Sequence, residues 1–454
     1  MQPRDLPFRA TAVGLSMAVA AATAPALPQH LAGKFAGPPG ASAVGPAPEI
    51  ESSVRLTRIR GTPLTLQPSA LVANLDAGNQ VAGWTWWALA GIIYVETRVG
   101  FLWRDGAGSE VFAIPPGTYY NDNWHLPAEI ADDGTVVGTN LFTKTLVQRP
   151  FRYTSASGFA WLQLPNPDTW SGGAEAVSAD GNVAGGWIQP GVFADSLAAR
   201  WVGGVLQILG DPGQVSLGRD LSDDGTVLVG AAGPAMGSLQ AARWVGGTEL
   251  PLDLVPGASS SEATFVSGDG TVAIGTAAVG GRQVLARWSV DGSVETYDPP
   301  AGLSVQAVHA IAPRATAAVG TLTDQVPFDE DWDPFLWRLE EGWTRIDELA
   351  DPGVYQFSEA LDVADDGRTV VGQLQAKVVF EGEPRTIAFR WTPETGTQDL
   401  DALVAAAGKP DEGLYEALAI SGDGKRILCT GVRRPTPQDT SSVIVEFVNG
   451  PPLY

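Results

Sequence analysis

The sequence contains little of the chemistry on which most metal, redox and hydrolytic sites depend. Its 454 residues include one cysteine, Cys429, and three histidines, His30, His125 and His309. A single cysteine excludes an internal disulfide, and three histidines make a multi-histidine metal site improbable. The motifs GxSxG, GxxxxGK[ST], HExxH and CxxC are all missing. We therefore expect no metal, no cofactor and no identifiable catalytic residue.

Positive charge is also scarce. The chain has 28 Lys and Arg against 51 Asp and Glu, which gives a formal net charge of −23 at pH 7. Residues 1–60 carry +3, so the remaining residues carry −26. Nucleic acids and anionic lipid surfaces bind basic surfaces, so we expect neither as a partner.

Long apolar runs are missing beyond the N-terminal region, and a membrane-spanning helix needs about 20 such residues. Within residues 1–26, Arg4 and Arg9 precede an uncharged, alanine-rich run, Ala10–Ala24, which predicts a signal peptide. Residues 27–53 are rich in Pro, Gly and Ala and predict a flexible linker. We expect an exported bacterial monomer in the periplasm, at the cell surface or outside the cell, with no transmembrane segment after cleavage. The alternative is a cytoplasmic protein with an uncleaved tail.

Internal repeats dominate the rest of the sequence. One motif combines apolar, small and Asp-Gly residues with a Val-rich segment, as in IADDGTVVG from Ile130 and LSDDGTVLVG from Leu221. Its turn glycine, or the residue in its place, recurs about every 44 to 57 residues, at positions 78, 134, 181, 225, 270, 315, 367 and 424. The repeat therefore indicates eight units.

A second, aromatic motif follows each copy, as in ARWVGG at Trp201 and Trp244. Asp-Gly between β-rich segments predicts a hairpin with a type I′ turn, and the glycines after the aromatic residue predict a second hairpin. Four short strands at this period are typical of a β-propeller blade. The sequence thus predicts an all-β protein, a single propeller of eight four-stranded blades over residues 54–448, with seven blades as the near alternative and a tail over 449–454.

Two packing predictions follow from this architecture. The segment Val54–Leu66 should share a blade with the last unit, because an open sheet edge invites aggregation. The aromatic residues of the second motif should be buried between neighbouring blades. They include Trp201, Trp244, Trp288, Trp337 and Trp391.

The alternation of the two motifs is most complete in VADDGRTVVG and IAFRWTPETG, between Val363 and Gly396. Over roughly Leu71 to Val448 it resembles the extracellular HAF repeat proteins of bacteria. The resemblance implies an exported protein built from propeller-like repeats. It carries no catalytic residue to transfer.

Candidate binding residues lie in the connections between strands two and three and between successive blades, which open on one face of a propeller. These connections include residues 84–100, 115–127, 165–173, 323–334 and 351–359, and they are rich in aromatic and acidic residues. Their rings suit stacking against sugars or peptide side chains, the alternative being that they cover blade edges. The predicted ligand-binding residues are Trp84, Trp86, Trp87, Tyr119, Tyr120, Trp124, His125, Trp170, Trp187 and Trp332.

The first strand of each unit supplies a second set of candidates near the channel mouth. Glu175, Arg219 and His309 lie six residues before the turn position, and Glu129, Asp220 and Asp362 lie five before it. Strand alternation should let only one of these two columns face the channel. We expect the repeated turn aspartates to form turns rather than to bind calcium.

Two functions remain open on these residues. The first is a binding module for a glycan, peptide or protein, without catalysis of its own. The alternative is a carbohydrate-active hydrolase or lyase that uses paired carboxylates at the channel mouth.

Overall fold

A computed structural model describes twelve segments of the chain: residues 54–59, 65–88, 94–112, 123–142, 145–191, 194–211, 213–324, 331–346, 357–375, 386–409, 412–433 and 440–448. The described residues form β-strands almost throughout, with one short helix, α1 (Leu400–Ala406), and a 3-10 turn at Met236–Ser238. The predicted tyrosines Tyr119 and Tyr120 lie outside these segments.

The strands form eight four-stranded antiparallel blades, as predicted. Strand β1 (Val54–Ile59) belongs to the last blade. Blade 1 contains β2 (Thr65–Asn74), β3 (Gln80–Ala88), β4 (Tyr94–Arg104) and β5 (Gly108–Val111). Blade 2 contains β6 (Asn123–Ile130), β7 (Val136–Phe142), β8 (Gln148–Thr154) and β9 (Gly158–Trp161). Blade 3 contains β10 (Ser171–Val177), β11 (Val183–Gln189), β12 (Leu197–Val202) and β13 (Val205–Ile208).

The remaining blades repeat the arrangement. Blade 4 contains β14 (Val215–Leu221), β15 (Val227–Gly233), β16 (Gln240–Val245) and β17 (Thr248–Leu250). Blade 5 contains β18 (Ala258–Val266), β19 (Val272–Val279), β20 (Arg282–Ser289) and β21 (Val294–Tyr297). Blade 6 contains β22 (Ser304–Ile311), β23 (Ala317–Thr323), β24 (Trp332–Arg338) and β25 (Gly342–Arg345). Blade 7 contains β26 (Glu359–Val363), β27 (Val370–Gln375), β28 (Thr386–Thr392) and β29 (Gly396–Asp399). Blade 8 contains β30 (Glu412–Ile420), β31 (Arg426–Arg433) and β32 (Thr440–Phe447).

The first strands of successive blades contact one another around a central axis. The first strand of blade 8, β30, contacts β2 of blade 1, which completes the ring. The turns between strands one and two and between strands three and four lie at one end of this ring, the turn face. The connections between strands two and three and between blades lie at the other end, the loop face.

The N-terminal strand closes the ring. Strand β1 pairs antiparallel with β32 from Val54↔Phe447 to Ile59↔Ser442, so it is the outer strand of blade 8. This confirms the predicted closure, although Thr65 and Leu66 already belong to the inner strand of blade 1. The pairing covers the edge of β32, which would otherwise be open to association.

The core lies between the blades, and its largest residues are the predicted tryptophans. Trp201, Trp244, Trp288 and Trp337 are at most 1% exposed, and Trp391 is 5% exposed. Each packs on the preceding blade; Trp244, for example, lies in one cluster with residues of blade 3. Where an indole N–H reaches a carbonyl oxygen of that blade, burial leaves no polar group unsatisfied. Trp201 donates to Gln163 at 2.7 Å, and Trp288 donates to Asp253 at 3.1 Å.

The Asp-Gly hairpins form as predicted, but their turn is not type I′. Only the glycine, such as Gly181 with φ 68°, has positive φ, and Asp180 does not. The carboxylate of Asp180 accepts from the Ser178 hydroxyl at 2.7 Å and from the Asn182 N–H at 2.9 Å, which stabilises a longer turn. Two consecutive positive-φ residues occur instead at Gly-Gly pairs such as Gly203–Gly204.

The turn face is tied together by backbone hydrogen bonds between blades. The residue two before each turn position donates its N–H to the equivalent carbonyl of the next blade, from blade 2 through to blade 6 and again from blade 7 to blade 8. Pro313 in blade 6 has no N–H, so it accepts from Gly268 but cannot donate to blade 7. In blade 8, the N–H of Gly422 bonds to the side chain of Asp76 in blade 1.

Candidate functional site

Every inner strand has a β-bulge near its middle. The bulged residues are Leu71, Ala128, Glu175, Arg219, Thr264, His309, Leu361 and Leu418. A bulge places two residues opposite one partner residue and breaks the simple alternation of side chains. Arg219 and Asp220 are adjacent, yet both side chains bond to blade 5. The bulge therefore lets side chains of both columns reach the next blade, and which column faces the channel stays a prediction.

The column five residues before the turn glycine joins neighbouring blades. Asp220 accepts the N–H of Leu221 with one carboxylate oxygen and that of Val266 in blade 5 with the other, each at 2.8 Å. Asp362 does the same with Val363 and with Ile420 in blade 8. Because both oxygens bond to the backbone, these two carboxylates are structural rather than free for catalysis.

Glu129 makes the corresponding contact from blade 2, where it accepts the N–H of Val177 in blade 3 at 2.5 Å. Loss of hydration at this crowded axis raises the pKa of all three carboxyl groups, to about 6 for Asp220 and about 7 for Asp362. The charge of Asp220 further raises the pKa of Glu129.

In blades 4 and 7, a second carboxylate lies close to the next blade at the turn face. Its neighbour there is a glycine: a Cβ on Gly268 would lie 2.4 Å from the Asp223 carboxylate, and one on Gly422 would lie 2.5 Å from that of Asp365. The sequence pattern is an acidic residue, two further residues and Asp-Asp-Gly, in EIADDG, DLSDDG and DVADDG. In blades 2, 4 and 7, the first acidic residue of this pattern bonds to the backbone of the next blade.

Glu175 and Arg219, six residues before the turn, form a polar group in blades 3 to 5 together with Glu262. Glu175 accepts from the indole N–H of Trp187 at 2.9 Å. Arg219 Nε bonds to Glu262 Oε1 of blade 5 at 2.5 Å. Desolvation raises the pKa of Glu175, and the charge of Arg219 partly opposes this shift. The carboxylates of this group, Glu175 and Glu262, therefore have a cation beside them, Arg219.

A second polar group, the axial cluster, consists of His309, Glu359 and Glu416 in blades 6, 7 and 8. His309 Nε2 lies 3.0 Å from Thr321 Oγ1 and 3.8 Å from Glu359 Oε1. Glu359 accepts from Gln373 at 2.6 Å, and Glu416 accepts from Thr430 at 3.1 Å.

Electrostatics distinguish the axial cluster from the group around Arg219. Desolvation raises the pKa of Glu359, and it raises that of Glu416 to about 7. The charge of Glu359 contributes to the shift at Glu416, so the two carboxyl groups interact. The axial cluster therefore contains two glutamates with raised pKa values and no arginine.

The sequence prediction included His309 but missed Glu262, Glu359 and Glu416. These three lie eight residues before the turn glycine, two before the predicted column of Glu175, Arg219 and His309. Residues two apart on a strand share a face, so the strand period itself marks this second column. The sequence shows the column of Glu129, Asp220 and Asp362, but it does not show that these side chains bond to the next blade.

His125 lies in the core rather than on the loop face, where we expected it. It is 1% exposed and accepts the Gly100 N–H through Nδ1 at 3.0 Å. Its ring packs among Phe112, Phe151 and Phe159. Desolvation lowers the pKa of His125 to about 3, so the imidazole is neutral at ordinary pH.

The structure places several predicted tryptophans at strand ends on the loop face. Trp124 is the second residue of β6, Trp170 directly precedes β10, and Trp332 begins β24. All three are half-buried. Trp332 packs edge-on against Phe357, with 5.1 Å between ring centroids, and Trp170 packs against the core between blades 2 and 3.

The other predicted tryptophans belong to strands rather than loops. Trp84 is half-buried in the middle of β3, and Trp86 and Trp87 follow it in the same strand, their side chains lying outside the described part of the structure. The ring of Trp187 covers Gly173, where a Cβ would lie 2.8 Å from the indole nitrogen. Trp187 also packs on blade 4, so its ring contributes to contacts between blades rather than to an open ligand-binding surface.

Within the described segments, no group of three or more His, Cys, Asp or Glu side chains has the geometry of a metal site. None of the helices described in those segments is long and apolar enough to cross a membrane.

Comparison with known proteins supports the fold. No family model matches the chain, and no curated protein sequence matches it. The Dos1 propeller aligns with a TM-score of 0.52 at 6% identity, covering 87% of this chain and 96% of its own. A prolyl endopeptidase aligns at 0.51 and 12% identity over 81% of this chain, which spans only 55% of that enzyme. An oligogalacturonate lyase from Vibrio parahaemolyticus aligns at 0.45 and 10% identity, covering 87% and 94%. At these identities the similarity shows the β-propeller fold alone.

Proposed function

We propose that this protein is an exported propeller that binds a glycan, peptide or protein on its loop face, without catalysis of its own. The observation that carries the proposal is the position of Trp124, Trp170 and Trp332 at loop-face strand ends of three different blades. Their half-buried rings offer flat apolar surface that sugars and peptide side chains can cover. The predicted signal peptide and the resemblance to HAF repeats support export.

A second candidate function is carbohydrate hydrolysis or elimination at the axis. Asp220 and Asp362 are unsuited to it, because the backbone occupies both oxygens of each. Glu359 and Glu416 are better suited, because their pKa values are raised and they interact. Acid–base catalysis on a glycosidic bond uses two such carboxyl groups.

The test compares tryptophans on the two faces of the same blade. Trp332→Ala should weaken binding to glycans and peptides on arrays about tenfold or more, as for an aromatic residue at the centre of an interface. Trp343→Ala is the matched control, because Trp343 lies just after the turn-face hairpin and is also half-buried. Equal losses in both variants, or no binding by the unmodified protein, would contradict the proposed site.

Turnover on the same glycans separates the two functions. Glycan binding without product formation supports the binding function. The affinity for a neutral glycan should then be unchanged in Glu416→Gln. If product forms, and Glu359→Gln or Glu416→Gln abolishes it, the protein is a carbohydrate-active enzyme rather than a binding module without catalysis.

A further inference from the structure

A hydrogen bond between neighbouring blades recurs toward the loop face. A backbone N–H in the third strand of one blade donates to a side chain in the inner strand of the next blade. The acceptors lie 2.8 to 3.3 Å from their donors and are one imidazole and four serine hydroxyls: His125, Ser171, Ser216, Ser261 and Ser304. This bond therefore joins each of blades 1 to 5 to the blade that follows.

Ser358 of blade 7 occupies the same position in the repeat. Its N–H donates to the Trp332 carbonyl of blade 6 at 3.1 Å, as the N–H of Ser216 donates to the Ser196 carbonyl of blade 3 at 2.8 Å. Trp332 and Ser196 each lie five residues before the inter-blade tryptophan of their own blade. Ser358 is therefore the blade 7 member of this series of serines.

The Ser358 hydroxyl nevertheless makes no bond to blade 6. The donor to Ser216 is Ala198, three residues before the inter-blade tryptophan, and that position in blade 6 is Pro334, which has no N–H. The Ser358 side chain is 0% exposed, and its Oγ has no hydrogen-bond partner. Buried hydroxyls are usually hydrogen-bonded. A proline thus removes a bond whose acceptor is still in place.

A second proline removes the bond at the other end of the same boundary. At the turn face Pro313 cannot donate to blade 7, whereas the equivalent N–H of Asp365 donates to the Gly422 carbonyl of blade 8 at 3.0 Å. The carboxylate bond that Asp220 makes to the following blade is missing as well, because the corresponding residue of blade 6 is Ala310. Blades 6 and 7 therefore lack all three kinds of inter-blade bond.

Within the described segments, every other pair of neighbouring blades keeps at least one bond of these three kinds. Blades 6 and 7 are held together by the bond between Ser358 and Trp332, by an apolar cluster and by two polar side-chain pairs at 3.8 and 3.9 Å, His309–Glu359 and Glu341–Arg368. Their contact, which we call seam 6–7, has packing but few hydrogen bonds.

We propose that the propeller opens at seam 6–7, where the two blades part locally in the native protein more readily than any other neighbouring pair. One hydrogen bond changes an equilibrium constant by roughly two- to tenfold, so the loss of two or more favours opening by about tenfold or more. Local opening of this kind leaves the rest of the fold intact. Trp332 and Phe357 pack across the seam with 5.1 Å between ring centroids. Opening separates these rings and so changes the surface to which we assign binding.

The experiment is native-state hydrogen exchange of the full-length protein at residue resolution. It compares the N–H groups of Ser358, Ser216 and Ser261, which make the same bond to the preceding blade and are 0%, 1% and 5% exposed. After correction for intrinsic rates, the Ser358 N–H should exchange at least tenfold faster than the other two. Equal rates, or slower exchange at Ser358, would overturn the proposal.

A variant that restores the missing donor tests the cause. Pro334→Ala supplies an N–H to the Ser358 hydroxyl, so it should slow exchange at residue 358 by about two- to tenfold and leave Ser216 unchanged. The double variant Pro334→Ala/Ser358→Ala has no hydroxyl to accept this N–H and should exchange at residue 358 as fast as the unmodified protein. If Pro334→Ala does not slow exchange, or if the double variant remains equally slow, the missing bond is not what opens the seam and the proposal fails.

Thiol labelling gives a second measure of opening. Ser358→Cys should be alkylated by iodoacetamide at least tenfold faster than the matched variant Ser216→Cys, while Cys429 is 0% exposed and common to both. Equal labelling rates would contradict preferential opening at seam 6–7. None of these measurements needs a ligand. Failure of the opening would therefore leave the proposed binding function intact, and failure of glycan and peptide binding would leave the opening intact.

Discussion

At the residue scale, one aromatic position repeats in successive blades and carries much of the packing. Trp244 is 1% exposed and belongs to one packed cluster with Ala176, Val183 and Ala198 of the preceding blade. The small alanines accommodate the indole, so the two blades fit at close distance. Similar local motifs create equivalent contacts in successive blades, because each unit meets the same kind of neighbour.

Replacing Trp244 by Ala should therefore lower the free energy of unfolding by about 3 to 5 kcal/mol, the usual cost of truncating a large buried aromatic residue. Chemical denaturation followed by circular dichroism measures the loss. Trp343→Ala, at a half-buried position of blade 6, should cost clearly less. Comparable losses in the two variants would contradict the interpretation of Trp244 as the inter-blade residue.

At the element scale, the N-terminal strand is decisive because it joins the ends of the chain. Ile59 of β1 is 2% exposed and belongs to a cluster that includes Ile444 of blade 8 and Phe101 and Trp103 of blade 1. Arg55 of the same strand is exposed and forms a 3.6 Å ion pair with Glu446. The strand therefore contributes both backbone pairing and a packed contact across the point of closure.

Ile59→Ala should destabilise the protein by about 2 to 5 kcal/mol, whereas Arg55→Ala should change its stability by less than about 1 kcal/mol. Thermal unfolding of the two variants provides the comparison. If Ile59→Ala unfolded at the same temperature as the unmodified protein, β1 would not be the element that secures the ring.

At the scale of the whole molecule, the acidic residues make stability depend on pH. The pKa values of Asp220, Asp362 and Glu416 are raised to between about 6 and about 7, so the folded state retains protons that the unfolded chain has lost. The stability linked to these groups is complete below about pH 4 and is lost as pH rises through about 6 to 7. Turn aspartates such as Asp224 have lowered pKa values and act in the opposite sense, but only below about pH 4.

The unfolding temperature should consequently fall between pH 5 and pH 8, by an amount equivalent to a few kcal/mol, since each pKa unit corresponds to about 1.4 kcal/mol. Asp362→Asn should be less stable than the unmodified protein at pH 5, because an amide cannot accept both backbone N–H groups. Its unfolding temperature should also fall less between pH 5 and pH 8. Asp195→Asn, at an exposed position, should follow the unmodified protein. A flat or rising profile between pH 5 and pH 8 would contradict this account.

The sequence by itself determined the number of blades, the identity of the inter-blade tryptophans and the closure by an N-terminal strand. These features depend on a pattern that is complete within each unit, where turn glycines, β-rich segments and aromatic residues specify their own local structure. The tertiary structure decided the rest. Asp362 meets Ile420 across 58 residues of chain, and Arg219 meets Glu262 across 43. Both contacts depend on inner-strand bulges and on which blade stands next around the axis, and these are set by packing between units that are distant in sequence.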